Sequence, residues 1–290
     1  MSKTVETVLI TGSGGFVGGN LKKYLKDKYN LLTPRSFELD CTDEHGVSKY
    51  FDQNKIDFVI HCGTVGGARG LEDKDTTVED NLKMVENILS AKRDDTRVIL
   101  FGSGAMYGKS QNLHKVNEKS IGDFLPLDLY GKSKMLIAEK IRNCSDVLCL
   151  NIFACYGYNE KSSRFPTYAI TQNLKHEKIE INQNVVFDYL FVDDLCRIVE
   201  YFILNQPKNN ILNVTPEKSV SLLEIANIVN EISGFKSEIT IKTDTLGHEY
   251  TGDNSNLLKE IKGFNFTTIE QGLKALYMYI SEQNFICKNR

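Results

Sequence analysis

The sequence predicts an α/β fold, a doubly wound parallel sheet with a smaller, discontinuous α/β domain beside it. Three observations carry that expectation. Over the first two-thirds of the 290 residues, short β-rich runs alternate with amphipathic helical stretches, a rhythm that builds a parallel sheet covered on both faces. A glycine cluster, "TGSGGFVGGN", separates the first apolar run from the first helical one. Beyond Gly157 the rhythm breaks into polar loop, one helix and a short strand, then returns at "YLFVDDLCRIVEYFI".

Taken in order, Val8-Leu9-Ile10 is the first strand, followed by a helix from about Gly18 to Lys28 and a second strand at Leu31-Leu32. A helix ending in "YFDQNK" precedes the strand Phe58-Val59-Ile60. Val78, Leu82, Val85 and Leu89 recur at helical spacing over 78–92, and Val98 to Phe101 is a strand. A helix over 130–142 and a strand from Val147 to Phe153 close this part. Later come a helix near "YAITQNLK", the strand "ILNV", the helix "SLLEIANIVNEI", the strand "EITIK" and the closing helix "TIEQGLKALYMYI". These boundaries put 1–157 and 188–205 in the larger domain, and 158–187 and 206–290 in the smaller.

Composition excludes several classes of function. A net charge of −3, spread along the chain, does not make a nucleic-acid surface. No apolar run is long enough to span a bilayer, and "MSKTVETVLI" enters a strand at once without a secretion signal, so a cytoplasmic protein is expected. The seven cysteines form no C-x-x-C pair and do not cluster with the five histidines, so no metal is expected. Cys62, Cys149 and Cys155 sit in apolar, strand-like surroundings and read as buried free thiols.

Gly12, Gly15 and Gly18 are spaced G-x-x-G-x-x-G after the first strand, with Phe16 and Val17 opening the helix. That arrangement gives a tight turn, close approach of a pyrophosphate and helix amides aimed at the anion, so the larger domain reads as a Rossmann-type dinucleotide-binding domain. The second strand is followed by "LLTPRSFELD", with no acid before Glu38 and with Arg35 near the strand tip. A guanidinium there suits a 2′-phosphate, which favours NADP(H) over NAD(H). Asp40 and Cys41, in the turn "LDCTD", and Cys62 and Gly63, after the third strand, complete the expected cofactor contacts.

Ser103 stands between two glycines at the tip of a strand, and Tyr130 and Lys134 in "YGKSK" are four apart on one helical face. With the glycine loop, these residues resemble the short-chain dehydrogenase/reductase superfamily, in its extended, nucleotide-sugar-modifying branch. The segments "LTPRSFELDCTD", "HCGTVGGA" and "FGSGAMYG" are similar to the GDP-L-fucose synthases. The resemblance implies that Ser103, Tyr130 and Lys134 are catalytic, with Tyr130 and Lys134 also at the cofactor. It further implies a nucleotide-sugar substrate in the smaller domain and a homodimer packed as a four-helix bundle by 78–92 and 130–142. Asn81 matches a helix asparagine of the extended branch, while its position also suits a plain helix surface.

The departures narrow the chemistry. Ala105 occupies the place of a cysteine that moves protons during epimerisation in fucose synthases, and Arg164 lies near the matching histidine. Gly14 replaces a loop arginine, Phe187 a leading arginine and Ala154 an asparagine. Ser103, Gly104, Ala105 and Arg164 are the expected substrate contacts. The reading is NADPH-dependent reduction at carbon 4 of a nucleotide-activated 4-keto sugar, GDP-linked, without epimerisation. The alternative is a nucleotide-sugar 4-epimerase with tightly held NAD. A 4,6-dehydratase lacks its acidic pair in "SGAMYG", and a non-enzymatic dinucleotide sensor would have no use for the serine, tyrosine and lysine together.

Overall fold

The computed structural model describes residues 5–68 and 70–288. The strands of the first half are β1 (Thr7–Thr11), β2 (Asn30–Leu32), β3 (Phe58–His61), β4 (Arg97–Ser103), β5 (Leu113–Val116) and β6 (Val147–Ile152). Its helices are α1 (Phe16–Leu25), α2 (Glu44–Gln53), α3 (Thr77–Ala91) and α4 (Leu129–Ile141). Then follow β7 (Ala154–Tyr156), α5 (Phe165–Leu174), β8 (Ile179–Gln183), β9 (Val186–Phe187), β10 (Tyr189–Phe191) and α6 (Val192–Leu204). The chain closes with β11 (Ile211–Val214), β12 (Val220–Ser221), α7 (Leu222–Ser233), β13 (Ile239–Thr243), β14 (Tyr250–Gly252), α8 (Ser255–Glu260) and α9 (Ile269–Lys288).

Six parallel strands form the large sheet in the order β11-β6-β4-β3-β1-β2. Both faces are covered, so its strands are nearly continuous apolar runs. Leu9, Val59 and Leu100 point to one face, where Val47 and Phe51 of α2, Val85 and Ile88 of α3 and Met135 and Ile137 of α4 pack. Val8, Ile10, Phe58 and Ile60 point to the other, against Leu21 and Leu25 of α1 and Leu195, Val199 and Phe202 of α6. The alternation along each strand is what divides one sheet between two cores. The strand β11 forms one edge of this sheet, pairing with β6, so the large sheet takes a strand from the segment 206–290.

The smaller lobe has its own core, built by α5, α7 and α9 around Ile170, Ile225, Val229 and Leu273. Its helix α7 begins with a reciprocal capping box between Ser221 and Glu224 and stops at Gly234 in the left-handed conformation. A four-stranded sheet, β12-β9-β14-β5, joins distant parts of the chain. There Tyr250 is in register with Leu113 on one side and Phe187 on the other. Among the described residues, no helix is long and apolar enough to cross a membrane, and no group of three or more His, Cys, Asp or Glu could hold a metal ion.

Candidate active site

After β1 the chain crosses to β2 on one side and then to β3 on the other, so a crevice opens at the carboxyl ends of β1 and β3. The glycine loop fills the base of that crevice. Gly12 has φ +65°, and a Cβ there would stand 2.7 Å from both the Cys62 carbonyl carbon and the Gly63 nitrogen. A Cβ on Gly18 would run into the Gly12 carbonyl, and Gly15 N donates to that same oxygen at 3.0 Å. Only bare backbone can fold this tightly. A Cβ on Gly14 would lie 2.8 Å from Arg35 Nη1, so the guanidinium that follows β2 rests directly on the loop.

The rest of that turn is organised by its acids. Glu38 accepts from the Arg35 amide at 2.7 Å. Asp40 accepts from the Thr42 amide and hydroxyl, at 2.9 and 2.7 Å, and these bonds hold its carboxyl below the usual range. The Cys41 thiol is packed in the core with Leu39 and Val47, and its carbonyl is taken by Asn87.

A cleft of about 1160 Å³ runs from this crevice to the smaller lobe, and its wall includes Phe16, Val17, Cys62, Gly63, Ser103, Ala105, Tyr130, Lys134 and Arg164. Cys62 is therefore a partly exposed thiol at the cleft and not a core one, whereas Cys149 and Cys155 are buried as expected. Ser103 ends β4 in an extended conformation, and its Oγ accepts from Ala105 N at 3.2 Å. Tyr130 and Tyr250 line the same cleft as this serine. Tyr130 is the second residue of α4, whose N-terminus is capped by Asp128 accepting from Gly131 N at 2.9 Å.

Lys134, one turn further, is buried with Nζ 5.5 Å from the Tyr130 ring centroid and donating to the Phe101 carbonyl at 2.9 Å. Burial pushes its ammonium down to about 8. Burial pushes the Tyr130 phenol up, opposed by the Ser103 hydrogen bond and by the charge of Arg164. His61, at the end of β3, shares a hydrogen bond of 2.7 Å with Thr11, and burial, with Lys134 nearby, drops it to about 3, so it stays neutral.

Several contributors were not legible from motif spacing. Asp73 joins two pieces of the wall: Oδ2 accepts from Tyr130 N and Oδ1 from Gly67 N, both at 2.8 Å. That clamp lays Gly67 against the Tyr130 ring, where a Cβ would stand 2.8 Å from Cγ. Asn81 is buried and not on a helix surface. It accepts from Val65 N at 2.8 Å, and donates to Val65 O at 2.9 Å and Ser133 Oγ at 3.0 Å, which pins the 64–68 loop to α3 and α4. Gly104 does not line the cleft. It is roofed by Tyr250 and Phe153, whose Oη and Cδ1 would each lie 2.6 Å from an added Cβ. The one signal for Tyr250 in the sequence was that glycine, since a bare position beside a reactive serine implies a close neighbour.

From the smaller lobe, Arg164 precedes α5 and donates to the Cys155 carbonyl at 3.2 Å. Glu160 accepts from Thr167 N and Oγ1 at 3.2 and 2.6 Å, while its Oε2 is buried without a partner. Burial raises this carboxyl to about 7.

The start of the helix that follows the glycine loop, a strand-tip serine and a Tyr–Lys pair on one helix are thus brought to one cleft, and residues 8–215 match the NAD dependent epimerase/dehydratase family. The chain belongs to this family. Among curated members, it is 25% identical over 306 residues to a GDP-L-colitose synthase of Yersinia pseudotuberculosis, covering 96% of this chain and 99% of that one. It is 23% identical to a GDP-L-fucose synthase of Dictyostelium discoideum, covering 93% of each. Its fold matches that of a GDP-mannoheptose C4 reductase from Campylobacter jejuni, solved with NADP bound, with a TM-score of 0.81 at 20% identity over 97% of this chain and all of that one. This family match places the chain among the extended short-chain dehydrogenase/reductases, the branch its motifs resemble.

Proposed function

We propose that the protein reduces carbon 4 of a nucleotide-activated 4-keto sugar, GDP-linked, with NADPH, and does not epimerise it. The observation that carries this reading is the convergence of Ser103, Tyr130 and Lys134 on one cleft in which the position two after the serine is Ala105. The glycine cradle fits a dinucleotide, because bare Gly12 and Gly18 let the loop pack tightly against the end of β3 and the start of α1, the turn that aims helix amides at a pyrophosphate. Gly12, Gly15, Phe16, Val17, Gly18, Cys62 and Gly63 would hold it, with Asp40 and the Cys41 backbone at the adenine end. Arg35, lying over Gly14, supplies the positive charge that a loop arginine gives fucose synthases, and supports NADP(H). When bound, the cofactor supplies the hydride.

The chain's own residues manage the proton and the orientation. Tyr130 holds the proton that the developing alkoxide takes: burial keeps that proton on the phenol, and the Lys134 ammonium nearby stabilises the phenolate left behind once the more basic alkoxide accepts it. Ser103 donates to the same oxygen and fixes the ketone's orientation. Arg164 binds a phosphate or a sugar hydroxyl. A division of the chain into two lobes at 157 and 188, with β11 returning to the large sheet, and a homodimer through the α3 and α4 faces, belong to the same reading. Half-buried Leu82, Leu89 and Leu136 on those helices favour the dimer, and light scattering at micromolar concentration checks it, with a pure monomer as the contrary result.

The deciding experiment is NADPH oxidation with a GDP-linked 4-keto-6-deoxy sugar in heavy water. One NADPH consumed per product, with no deuterium at carbons 3 or 5, is expected. Enzyme-dependent deuterium there would overturn the no-epimerisation reading and direct attention to Glu160, the cleft carboxyl with an unpartnered oxygen. Turnover of an unoxidised nucleotide sugar with NAD already bound would favour the 4-epimerase.

A further inference from the structure

The substrate end of the cleft carries a surface that the mechanism above does not use. Phe187 of β9 and Tyr250 of β14 are half-buried, and both line the cleft. They pair in register on adjacent strands, with ring centroids 5.9 Å apart. Tyr189 packs against Phe187 at 5.6 Å, and Phe153 against Tyr250 at 5.2 Å. Single surface aromatics need no explanation, but a contiguous half-buried patch inside a cleft marks a binding surface. This patch also reaches the reacting centre. A Cβ on Gly104, the residue after Ser103, would stand 2.6 Å from Tyr250 Oη.

The wall is braced by a buried charge. Asp188, between Phe187 and Tyr189 in the chain, is fully buried. Its Oδ1 accepts from Ser219 Oγ at 2.6 Å and from Lys115 Nζ at 3.1 Å, and its Oδ2 from Gly252 N at 2.9 Å. One carboxylate thus ties β5, β14 and the residue before β12 to the segment that carries Phe187. Lys115 holds φ +45°, which a residue with a side chain keeps only where its surroundings over-determine it. Rings fixed in this way lose little freedom when a ligand arrives, so their contact with it is returned as affinity.

We propose that Phe187 and Tyr250 form a platform for the C–H face of the substrate's pyranose ring, so that this end of the site selects a sugar by the shape of that face. The inference rests on the nucleotide-sugar reading and not on the reduction itself. A hydride reaches carbon 4 from one face of the ring, which leaves the opposite face to be covered. The dinucleotide crevice lies at strand ends of the large sheet, whereas both rings come from the four-stranded sheet. Axial C–H bonds carry a slight positive charge, and the face of an aromatic ring is negative. Their contact buries apolar area without stripping water from a hydroxyl. A sugar that turned a hydroxyl into the Phe187 ring would leave it unpaired and bind more weakly.

The experiment is calorimetry at saturating NADPH with GDP-mannose and with GDP, neither of which is a ketone, so binding is read without turnover. Phe187→Leu keeps apolar bulk and loses the ring. It is expected to weaken GDP-mannose about 5-fold and GDP less than about twofold, while Phe187→Tyr, which keeps the ring, stays within about twofold for both. Tyr250→Leu is expected to match Phe187→Leu, and Tyr250→Phe to match the native protein, because the ring and not the hydroxyl makes the platform. Should Tyr250→Leu be recovered poorly, the two Phe187 variants decide. With NADPH and the 4-keto sugar, Phe187→Leu is expected to raise the sugar KM about 5-fold and leave the NADPH KM unchanged. Equal losses for GDP-mannose and GDP, or no loss on removal of the ring, would overturn the platform alone. A native protein that binds neither ligand would overturn the GDP-sugar reading and the platform with it. The expected calorimetric pattern in a protein that oxidises no NADPH would uphold the platform and sink the reductase reading.

Discussion

The two ends of the cleft are built in different ways. At the cofactor end, most contributing segments lie just after a strand of the large sheet, within a few residues of a motif: the glycine loop after β1, Arg35 after β2, Cys62 and Gly63 after β3, Ser103 at the tip of β4, with Tyr130 and Lys134 added from α4. At the substrate end, Glu160 and Arg164 arrive from the loop before α5, while Tyr250 and Phe187 come from short strands of a sheet whose members are far apart in sequence. A parallel sheet lines up consecutive strand ends on one edge, so chemistry placed there is written locally. The smaller lobe has no such register, and its contribution is settled only by tertiary pairing.

The largest effect expected at the sheet end is that of Tyr130→Phe, which removes the proton donor and should lower kcat about 10³-fold in NADPH-oxidation assays while leaving NADPH affinity intact. Arg35→Ala, at the same end, should weaken NADPH binding about 10- to 100-fold and NADH binding less than about twofold, by fluorescence titration. Equal losses for both cofactors would break the assignment of Arg35 to a 2′-phosphate. Gly104→Ala tests the seam between the two ends. The new methyl meets Tyr250 and Phe153, so overpacking by about 2 kcal/mol should lower Tm by about 5 °C.

The smallest effect belongs to the far end. Glu160 titrates near 7 in the folded chain against 4.5 for a free carboxyl. Between those pH values the folded state holds more protons than the unfolded one, so this group makes stability fall as pH rises from about 4.5 to 7. Arg164 lies close enough to oppose the shift, and Thr167 donates twice to the carboxyl. Glu160→Gln should therefore raise Tm by about 3 °C at pH 8 and leave it nearly unchanged at pH 4.5, in paired melting curves. A gain independent of pH would show that the carboxyl is not held protonated by burial.

The sequence carried much of the first end and little of the second, for physical reasons visible at particular residues. The strands β1, β3, β4 and β6 announce themselves as apolar runs because both their faces are covered. The Tyr130–Lys134 pair is legible because helical spacing alone puts both on one face. Asn81 was ambiguous, since a polar residue on an amphipathic helix looks solvated until the 64–68 loop is laid over it. Cys41 was read as a cofactor contact from its place in the turn, but adjacent residues in such a turn face opposite ways, and its thiol faces the core. Tyr250 sits in "GHEYTGDN", a polar stretch with no period, and nothing local predicts that β14 lies beside β5.

The edge position of β11 bears on how the protein is made. Residues 147–152 leave the ribosome well before 211–214, and in that interval β6 has a partner only on its β4 side. Its other edge then offers a row of open amides and carbonyls, along a strand whose side chains, Leu148, Cys149 and Leu150 among them, are nearly all meant for the interior. Such an edge is a template for any other extended chain. The growing polypeptide is thus at its most adhesive between these two points. Chaperone occupancy should crowd there, and a message cut short after α6 would release a product that clumps instead of one that is merely inactive.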